Sequence, residues 1–292
     1  MTTPCEALKR SSANVNEHRW KARHKYSRGK NIFKKILLIG CGKMGGALLE
    51  HWLSGDENFT IVDPFLEKAP NGVRSVSDRA AIADDTFDVV IIAIKPQMID
   101  EVLPDYRPML AEGGYAMSIA AGASIARIAA LLGGASVIRV MPNLPAAVGK
   151  ATSGLCAADN ATDDQIAHAT DMMERAGTAV AVDSEDMLDR VTAVAGSGPG
   201  YVFEIARAYI AAAEDLGFDA QQARTLVLGT MEGTIAMALA HSDMSLEDLR
   251  NSVTSKGGTT AAGLDALNGD GTVSGKLRDT VRAAYDRAVE LR

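Results

Sequence analysis

The sequence predicts an α/β fold in which a doubly wound parallel sheet is followed by a C-terminal all-helical domain. Three observations support this prediction. Short, continuous apolar runs alternate with helix-length segments as far as residue 140, a pattern typical of parallel strands that are buried on both faces. The strand pattern stops at about residue 184, beyond which Ala-, Leu- and Met-rich segments of helical length take over. The 292 residues are also enough for two domains of roughly 150 residues each.

The predicted strands all lie in the first domain, residues 34–183. The first strand runs directly into Gly40, and apolar residues at helical spacing from Ala47 indicate that a helix follows. The second strand ends at Asp63 and the third at Lys95. The predicted strands are residues 36–39, 60–62, 88–94, 115–119 and 136–140.

Helices alone are predicted for the second domain, residues 184–292. Gly217 and the pair Gly257-Gly258 separate them as caps or turns. Residues 202–213 are apolar around most of a helix circumference, so another surface must cover them. We therefore expect a homodimer formed through this domain. The predicted helices are residues 201–216, 221–241, 246–253, 260–267 and 273–291.

The composition excludes several classes of protein. The chain is 47% hydrophobic and 23% charged, as in ordinary globular proteins. Its longest strongly apolar stretch, residues 89–94, has the length of a strand, which excludes a membrane-spanning protein. Cys5, Cys41 and Cys156 are widely spaced and form no CxxC pair, so neither a metal site nor a disulfide framework is indicated. We expect a cytoplasmic protein without a metal.

The charge is distributed unevenly along the chain. Residues 1–35 carry ten Lys and Arg residues against two Glu, whereas the rest has a net charge of −15. An acidic body argues against a nucleic-acid partner. We interpret residues 1–33 as a basic, poorly ordered extension or as sequence upstream of the true start. A transit peptide and a nucleic-acid-binding arm are the alternatives.

A glycine motif after the first strand predicts a dinucleotide site. Gly40, Gly42 and Gly45 form G-x-G-x-x-G between a strand and a helix, which is the Rossmann-like fingerprint. Its glycines permit a tight turn, close approach of a pyrophosphate, and packing of the helix on the strand. Lys43 and Met44 are also predicted to contact the cofactor, because a helix N-terminus attracts phosphate. A glycine-rich turn without a ligand is the alternative.

The ends of the next two strands supply further candidate cofactor contacts. Asp63 lies about 20 residues after the motif, where an acidic side chain binds the adenosine ribose hydroxyls. Its charge would also repel the 2′-phosphate of NADPH, which favours NADH over NADPH. Lys95 and Pro96 end the third strand at the edge where the nicotinamide half is expected. The alternatives are a simple turn residue at Asp63 and a solvated charge at Lys95. The choice between NADPH and NADH stays open.

Two glycine clusters fall in the helical domain, where glycines should be scarce. They are residues 195–201 and 255–260. Each places backbone N–H groups and small hydroxyls at the start of a helix, an arrangement that binds anions. Ordinary helix capping by Ser and Thr is the alternative.

Five motifs give the chain a resemblance to a known family. They are Gly40-Cys41-Gly42-Lys43-Met44-Gly45, Ala93-Ile94-Lys95-Pro96-Gln97, Met141-Pro142-Asn143-Leu144-Pro145, Gly196-Ser197-Gly198-Pro199, and residues 255–260 within 249–267. With them the chain, from about residue 34, resembles the pyrroline-5-carboxylate reductases. The resemblance implies NAD(P)H-dependent reduction of 1-pyrroline-5-carboxylate to L-proline, the last step of proline biosynthesis. It also implies a homodimer with intertwined helical domains, often assembled into larger rings.

The resemblance also implies roles for individual residues. Thr260 would form a hydrogen bond to the ring nitrogen of the substrate. The Ser255 side chain would hold the substrate carboxylate, together with the backbone N–H groups of Gly257, Gly258 and Thr259. Further predicted contacts are Ser197 and Gly198 for the substrate, and Ala93, Lys95, Pro96 and Asn143 for the cofactor. A cyclic iminium ion can arrive already protonated, so the lack of His and carboxylate in these clusters is no obstacle.

Two departures from the family pattern leave the substrate open. Lys256 stands where the family usually has Pro, and Gly200 where it usually has Ala. A reductase of another cyclic imino acid is therefore one alternative. A β-hydroxyacid dehydrogenase is expected to carry a catalytic Lys in residues 201–216, which contain none. A non-catalytic NAD(H)-binding sensor would have no use for residues 255–260.

Overall fold

The first domain contains a sheet of eight strands in the computed structural model, which describes residues 34–70 and 72–292. The predicted basic extension, residues 1–33, lies outside the described residues. The strands are β1 (Lys35–Ile39), β2 (Asn58–Val62), β3 (Arg74–Val76), β4 (Phe87–Ile92), β5 (Leu110–Ser118), β6 (Ser136–Met141), β7 (Ala151–Ala157) and β8 (Gly177–Ala181).

The order of the strands across the sheet is β3-β2-β1-β4-β5-β6-β7-β8. All neighbouring pairs are parallel except β6 and β7, which are antiparallel. From β1 the chain first adds β2 and β3 on one side of the sheet and then adds β4 on the other side of β1. The point between β1 and β4 is therefore a topological switch point, where doubly wound sheets bind dinucleotides. The topology confirms the predicted α/β fold.

The helices flank the sheet in the first domain and are the only regular elements in the second. They are α1 (Lys43–Trp52), α2 (Ile99–Val102), α3 (Ile125–Leu131), α4 (Asp163–Arg175), α5 (Glu185–Val191), α6 (Gly198–Asp215), α7 (Ala220–Ala240), α8 (Leu246–Ser252), α9 (Thr259–Asn268) and α10 (Thr272–Leu291). The last five confirm the five helices predicted for the C-terminal domain. Gly217, which follows the C-cap Leu216 of α6, has a φ of 97° and so provides the left-handed residue that commonly ends a helix.

The central strands are buried on both faces, which explains their continuous apolar sequences. In β1, Ile36 and Leu38 belong to one apolar core, together with Trp52 of α1. Leu37 and Ile39 belong to a second core on the opposite face of the sheet. Successive side chains of a strand point to opposite faces, so every position of β1 except its first needs an apolar residue.

Three strands, β3, β7 and β8, are not predicted by the apolar pattern. β3 is a three-residue edge strand that begins with Arg74, and β8 buries none of its residues fully. β7 is built mainly of small residues because α5 packs closely on it. A Cβ added to Gly154 would lie 2.7 Å from Cγ1 of Val191 and 3.0 Å from Cδ1 of Leu188.

The chain divides into two compact units. One extends to Gly196 and includes Tyr285–Arg292, and the other is Ser197–Ala284. The last turns of α10 therefore belong to the first unit, where they contact α5 and the loop before α3. Arg292 forms an ion pair with Asp189 at 2.9 Å. A Cβ added to Gly122 would lie 2.6 Å from the carbonyl oxygen of Leu291.

Two further properties concern the described residues as a set. None of their helices combines the length and the hydrophobicity needed to cross a bilayer. No group of three or more His, Cys, Asp or Glu side chains in this part of the chain is arranged to hold a metal ion.

Candidate cofactor and substrate sites

The glycine loop lies between the end of β1 and the start of α1, at the carboxyl edge of the sheet. Gly40 has a φ of 86°, and a Cβ at this position would lie 2.9 Å from the carbonyl oxygen of Ala93. Its N–H donates to the carbonyl of Val62 at 2.9 Å, and the N–H of Ala93 donates to the carbonyl of Ile39 at 2.9 Å. The loop is thus held between the ends of β2 and β4, and only glycine fits at residue 40.

The other two glycines of the loop keep the start of α1 close to the sheet and open to a ligand. A Cβ on Gly45 would lie 3.0 Å from the carbonyl oxygen of Gly40 and 3.3 Å from Cβ of Ala93. Gly42 is the N-cap of α1, provides no side-chain cap, and has no atom within 4 Å of the place where its Cβ would be. The first-turn N–H groups of Lys43 and Met44 therefore face no capping side chain, which fits a bound pyrophosphate.

Asp63 connects the glycine loop to the turn that follows β2. Its Oδ2 accepts a hydrogen bond from the N–H of Cys41 at 2.7 Å, and its Oδ1 accepts one from the N–H of Phe65 at 2.8 Å. Each carboxylate oxygen has a second lone pair for a ribose hydroxyl. Burial, and then the charge of Asp63, raise the pKa of the Cys41 thiol, so this side chain stays protonated beside the cofactor loop.

The residues after β4 lie beside the glycine loop. Ala93 contacts both Gly40 and Gly45, as the distances above show. Lys95 precedes a short 3₁₀ turn, Pro96–Met98, and its carbonyl accepts the N–H of Met98 at 2.9 Å. β1, β2 and β4 are parallel neighbours, so the structure brings together the predicted cofactor residues that follow them.

Asn143 is placed differently from the other predicted cofactor residues. It is 7% exposed, and both polar atoms of its side chain are bonded to the backbone. Oδ1 accepts the N–H of Thr152 at 2.9 Å, and Nδ2 donates to the carbonyl of Ala195 at 3.1 Å. Asn143 therefore joins the loop after β6 to β7 and to the π-helical segment Thr192–Gly196. Its contact with a cofactor stays a prediction.

The sequence pattern gave no indication that His51 supports the same loop. Its Nε2 lies 2.8 Å from the carbonyl oxygen of Ala146, and a Cβ on Gly149 would lie 3.0 Å from its Cε1. His51 is in the last turn of α1, so it links the helix of the glycine loop to the turn that contains Leu144–Val148. A histidine within a helical pattern has no spacing that would reveal such a contact.

The first glycine cluster of the helical domain forms the start of α6. Ser197 is the N-cap, but its side chain forms no capping hydrogen bond, and its carbonyl accepts the N–H of Gly200 at 3.0 Å. A Cβ on Gly198 or Gly200 would have no atom within 4 Å. The start of α6 is therefore free of a side-chain cap, which argues against the interpretation that this serine serves as an ordinary cap.

The second cluster forms a tight turn at the start of α9. The N–H of Gly258 donates to the carbonyl of Ser255 at 3.0 Å, and Gly257 has a φ of 72°. The turn is residues 255–258, and a positive φ at its third residue, Gly257, is typical of a type II turn. The second position of such a turn favours Pro and is occupied here by Lys256. A Cβ on Gly258 would lie 2.4 Å from Oγ of Ser255, so the serine hydroxyl is held against the helix start.

Small hydroxyl residues continue from this turn into α9. Gly258 is the N-cap and provides no side-chain cap, and Thr259 and Thr260 are the first two residues of the helix. Both threonines are exposed. The helix start therefore offers N–H groups and hydroxyls, without a neighbouring carboxylate, to a small anion.

Comparison with protein families matches two segments of the chain. Residues 185–291 match the family model described as pyrroline-5-carboxylate reductase dimerisation. Residues 35–122 match the model described as NADP oxidoreductase, coenzyme F420-dependent. The first segment contains both glycine clusters of the helical domain, and the second contains the glycine loop.

Relatives match over nearly their whole length. A pyrroline-5-carboxylate reductase of Methanosarcina acetivorans is 35% identical over 88% of this chain and 98% of its own. One of Vibrio alginolyticus is 34% identical over 88% of this chain and 97% of its own.

Solved structures of the same description share the fold. A pyrroline-5-carboxylate reductase from Coxiella burnetii superposes with a TM-score of 0.82 and 32% identity, covering 88% of this chain and 98% of that one. A Plasmodium falciparum pyrroline carboxylate reductase with NADP bound superposes with a TM-score of 0.76 and 26% identity, with the same coverage.

Proposed function

The chain belongs to the pyrroline-5-carboxylate reductase family, and we propose that it reduces 1-pyrroline-5-carboxylate to L-proline with NADPH or NADH. It is an oxidoreductase that acts on a C=N bond, in the last step of proline biosynthesis. The observation that carries the proposal is the presence, on one chain, of two uncapped helix starts with glycine loops. One is built for a dinucleotide at Gly42, and the other is built for a small carboxylate at Gly258.

The cofactor residues bind and orient the dinucleotide. The N–H groups of Lys43 and Met44 hold the pyrophosphate, Asp63 holds the adenosine ribose, and the segment after β4 contacts the nicotinamide half. The latter segment comprises Ala93, Lys95 and Pro96, and Asn143 completes the set. When bound, the reduced nicotinamide supplies the hydride for the imine carbon.

The substrate residues hold a zwitterion, whose carboxylate is anionic and whose ring nitrogen is already protonated. Ser255 and the N–H groups of Gly257 and Thr259 bind the carboxylate, and the N–H of Gly258 joins them in addition to its bond to the carbonyl of Ser255. The Thr260 hydroxyl accepts the N–H of the iminium ion. Ser197 and Gly198 are further substrate contacts. When the imine carbon gains the hydride, the nitrogen keeps its proton and becomes the secondary amine of proline. The residues therefore contribute position and electrostatics rather than a proton donor.

The enzyme works as a homodimer through its helical domain and assembles into larger rings. The match of residues 185–291 to a dimerisation domain supports the dimer. So does the small core of the second unit, where the buried cluster among the described residues consists of Ala213, Ala223 and Val227. Phe203, Ile235 and Leu239 are 63%, 61% and 76% exposed in the single chain, which a second copy would cover.

The enzyme acts in the cytoplasm without a nucleic-acid partner. The net charge of −15 outside residues 1–35 supports the absence of such a partner, since a nucleic-acid surface is basic.

The test of the proposed function is oxidation of NADH and NADPH by the purified protein with racemic 1-pyrroline-5-carboxylate. The six-membered imine homologue serves as the comparison. Turnover of the five-membered ring supports the proposal. Binding of cofactor without turnover of either imine would contradict it and favour a sensor.

A second candidate, reduction of a different cyclic imino acid, is favoured by Lys256. This residue occupies the second position of the substrate turn, where it adds a cation beside the proposed carboxylate site. For this candidate we expect turnover of the six-membered imine alone. The Lys256→Pro variant should change this substrate preference.

A further inference from the structure

We propose that this chain selects NADH over NADPH through the Asp63 turn, defined as residues 63–65, with Phe65 as the platform for adenine. The inference rests on the proposed function because it needs the dinucleotide to lie on the glycine loop. It goes further by choosing between two cofactors that differ only by a 2′-phosphate on the adenosine ribose. The NADP bound in the Plasmodium falciparum structure belongs to a relative with 26% identity, so the choice depends on this chain's own residues.

The Asp63 carboxylate is fixed where the ribose is expected. Two backbone donors, the N–H groups of Cys41 and Phe65, hold its two oxygens at 2.7 and 2.8 Å. The N–H of Asp63 itself donates to the carbonyl of Val76 at 3.1 Å, which ties its backbone to the end of β3. A carboxylate held by two N–H groups, on a backbone that is itself bonded, cannot turn away from an incoming phosphate without breaking these bonds. It would accept hydroxyl hydrogens from NADH and repel the dianion of NADPH.

The guanidinium that NADPH would need is already engaged. An Arg near the ribose commonly accommodates the 2′-phosphate, and Arg74 is the next arginine along the chain after Asp63. Its Nη1 donates to Oδ2 of Asp85 at 2.7 Å, and its Nη2 donates to the carbonyl of Ala81 at 3.1 Å. Lys68 is a cation in the loop that follows the Asp63 turn, but the adjacent Glu67 offsets its attraction for a 2′-phosphate.

Phe65 supplies the apolar surface for the base. Its side chain is 87% exposed, although its backbone is bonded to Asp63. Stacking of a base on an aromatic ring contributes to binding whatever the base. The adenine is common to NADH and NADPH, so Phe65 contributes to affinity for both, while Asp63 decides between them.

The first test needs no variant: the dissociation constants of NADH and NADPH are measured by titration calorimetry on the purified full chain. We expect NADH to bind about tenfold more tightly or better. NADPH binding that is equal or tighter would overturn the inference and leave the proposed function intact. Binding of neither cofactor would overturn both.

Three variants separate charge from structure. Asp63→Asn removes the charge and keeps one acceptor, so we expect tighter NADPH binding and a ratio of the two constants shifted about fivefold or more toward NADPH. Phe65→Ala should weaken both cofactors by the same factor. Asp84→Asn, an exposed carboxylate in the turn before β4, is the matched control and should change neither. Equal weakening of both cofactors in Asp63→Asn would show that Asp63 only braces the loop, and would contradict the inference.

Discussion

Thr260 and Asn143 are both predicted site residues, but their side chains are in opposite situations. Thr260 is exposed at the start of α9, and its hydroxyl has no hydrogen-bond partner among the described residues. Asn143 is buried and uses both polar atoms to hold the backbone of other segments. A free hydroxyl at a helix start is available for a substrate, whereas a buried amide with both polar atoms bonded to the backbone also holds the scaffold together. The two residues should therefore differ in what their removal changes.

Replacing Thr260 by Ala should lower kcat/KM with 1-pyrroline-5-carboxylate about tenfold, or about 1.4 kcal/mol, because one hydrogen bond to a charged ring nitrogen is lost. Steady-state kinetics measure this, and the free energy of unfolding should not change. Thr280→Ala is the control, because the Thr280 hydroxyl donates to the carbonyl of Lys276 within α10. Kinetics of Thr260→Ala equal to those of the control would remove Thr260 from the site.

Replacing Asn143 by Ala should lower the free energy of unfolding by about 1–3 kcal/mol, because the N–H of Thr152 loses its buried acceptor. Urea denaturation monitored by circular dichroism measures the change. Asn58→Ala, at the exposed start of β2, is the control. Unchanged stability would contradict this bracing role and leave Asn143 as a cofactor contact alone.

At the scale of elements, a buried polar network joins the residue before β2 to β5 and α4. Oε1 and Oε2 of Glu57 accept hydrogen bonds from Arg175 at 2.9 and 2.7 Å, and Nε2 of His168 lies 3.2 Å from Oε1. Nδ1 of His168 lies 2.7 Å from the Tyr115 hydroxyl. Burial, and then the charge of Glu57, raise the pKa of Tyr115, so its hydroxyl stays protonated and donates to Nδ1. His168 then donates from Nε2 to Glu57.

This network makes the stability of the first unit depend on pH. Burial alone would raise the pKa of Glu57, but the hydrogen bonds from His168 and Arg175 outweigh it and hold that pKa below its ordinary value. Because the pKa of Glu57 is lower in the folded state, its ionised form stabilises the protein at pH values above the unfolded-state pKa of about 4.3. This contribution is lost as the pH falls from there toward the folded-state pKa.

Glu57→Gln should therefore lower the free energy of unfolding by about 3 kcal/mol at pH 7, and the difference from the unsubstituted protein should shrink as the pH falls from about 5 to about 3. Denaturation curves at several pH values measure this. Glu112→Gln, an exposed position on β5, should follow the unsubstituted protein throughout. If the difference for Glu57→Gln stayed constant with pH, the network would not contribute through its charge.

Predictability from sequence differs among the elements for physical reasons. β1, β4 and β6 are buried on both faces, and their continuous apolar runs reveal them. β7 packs under α5 and needs small residues instead, which leave no apolar signal. The return of Tyr285–Arg292 to the first unit depends on contacts with distant residues, and no local pattern encodes those.

The candidate site shows the same division. The glycine loop was predictable because the spacing of Gly40, Gly42 and Gly45 follows from local geometry. As expected, other atoms lie close to Gly40 and Gly45, and the space beside Gly42 is open. The bond from Asp63 to the N–H of Phe65 is local, but its bracing of the glycine loop was not predictable, since the N–H of Cys41 reaches the carboxylate only when β1 and β2 pair. The same holds for His51 and Ala146.

At the scale of the whole molecule, the two units differ in how much apolar surface they bury. The sheet of the first unit lies between two extended cores that include Trp52 and Tyr106. In the second unit, the core of the described residues is limited to small side chains around Ala223, while Phe203 and Leu239 are mostly exposed. A helical unit with so small a core gains most of its stability from a partner surface.

The stability of the second unit should therefore depend on protein concentration. We expect that a hundredfold dilution lowers the midpoint of thermal unfolding by roughly 2–4 °C, since dissociation of the dimer accompanies unfolding. Calorimetry over a range of concentrations, with light scattering for the mass, measures both quantities.

A charge on the exposed apolar surface of α6 should weaken this coupling. Phe203→Glu should give monomers at concentrations where the unsubstituted protein is dimeric, with a lower midpoint that no longer varies with dilution. Leu53→Glu, an exposed apolar position after α1 in the first unit, is the matched control and should keep the dimer. If the unsubstituted protein were monomeric and equally stable at every concentration, the exposed side chains of α6 and α7 would not form a subunit interface, and the proposed dimer would be wrong.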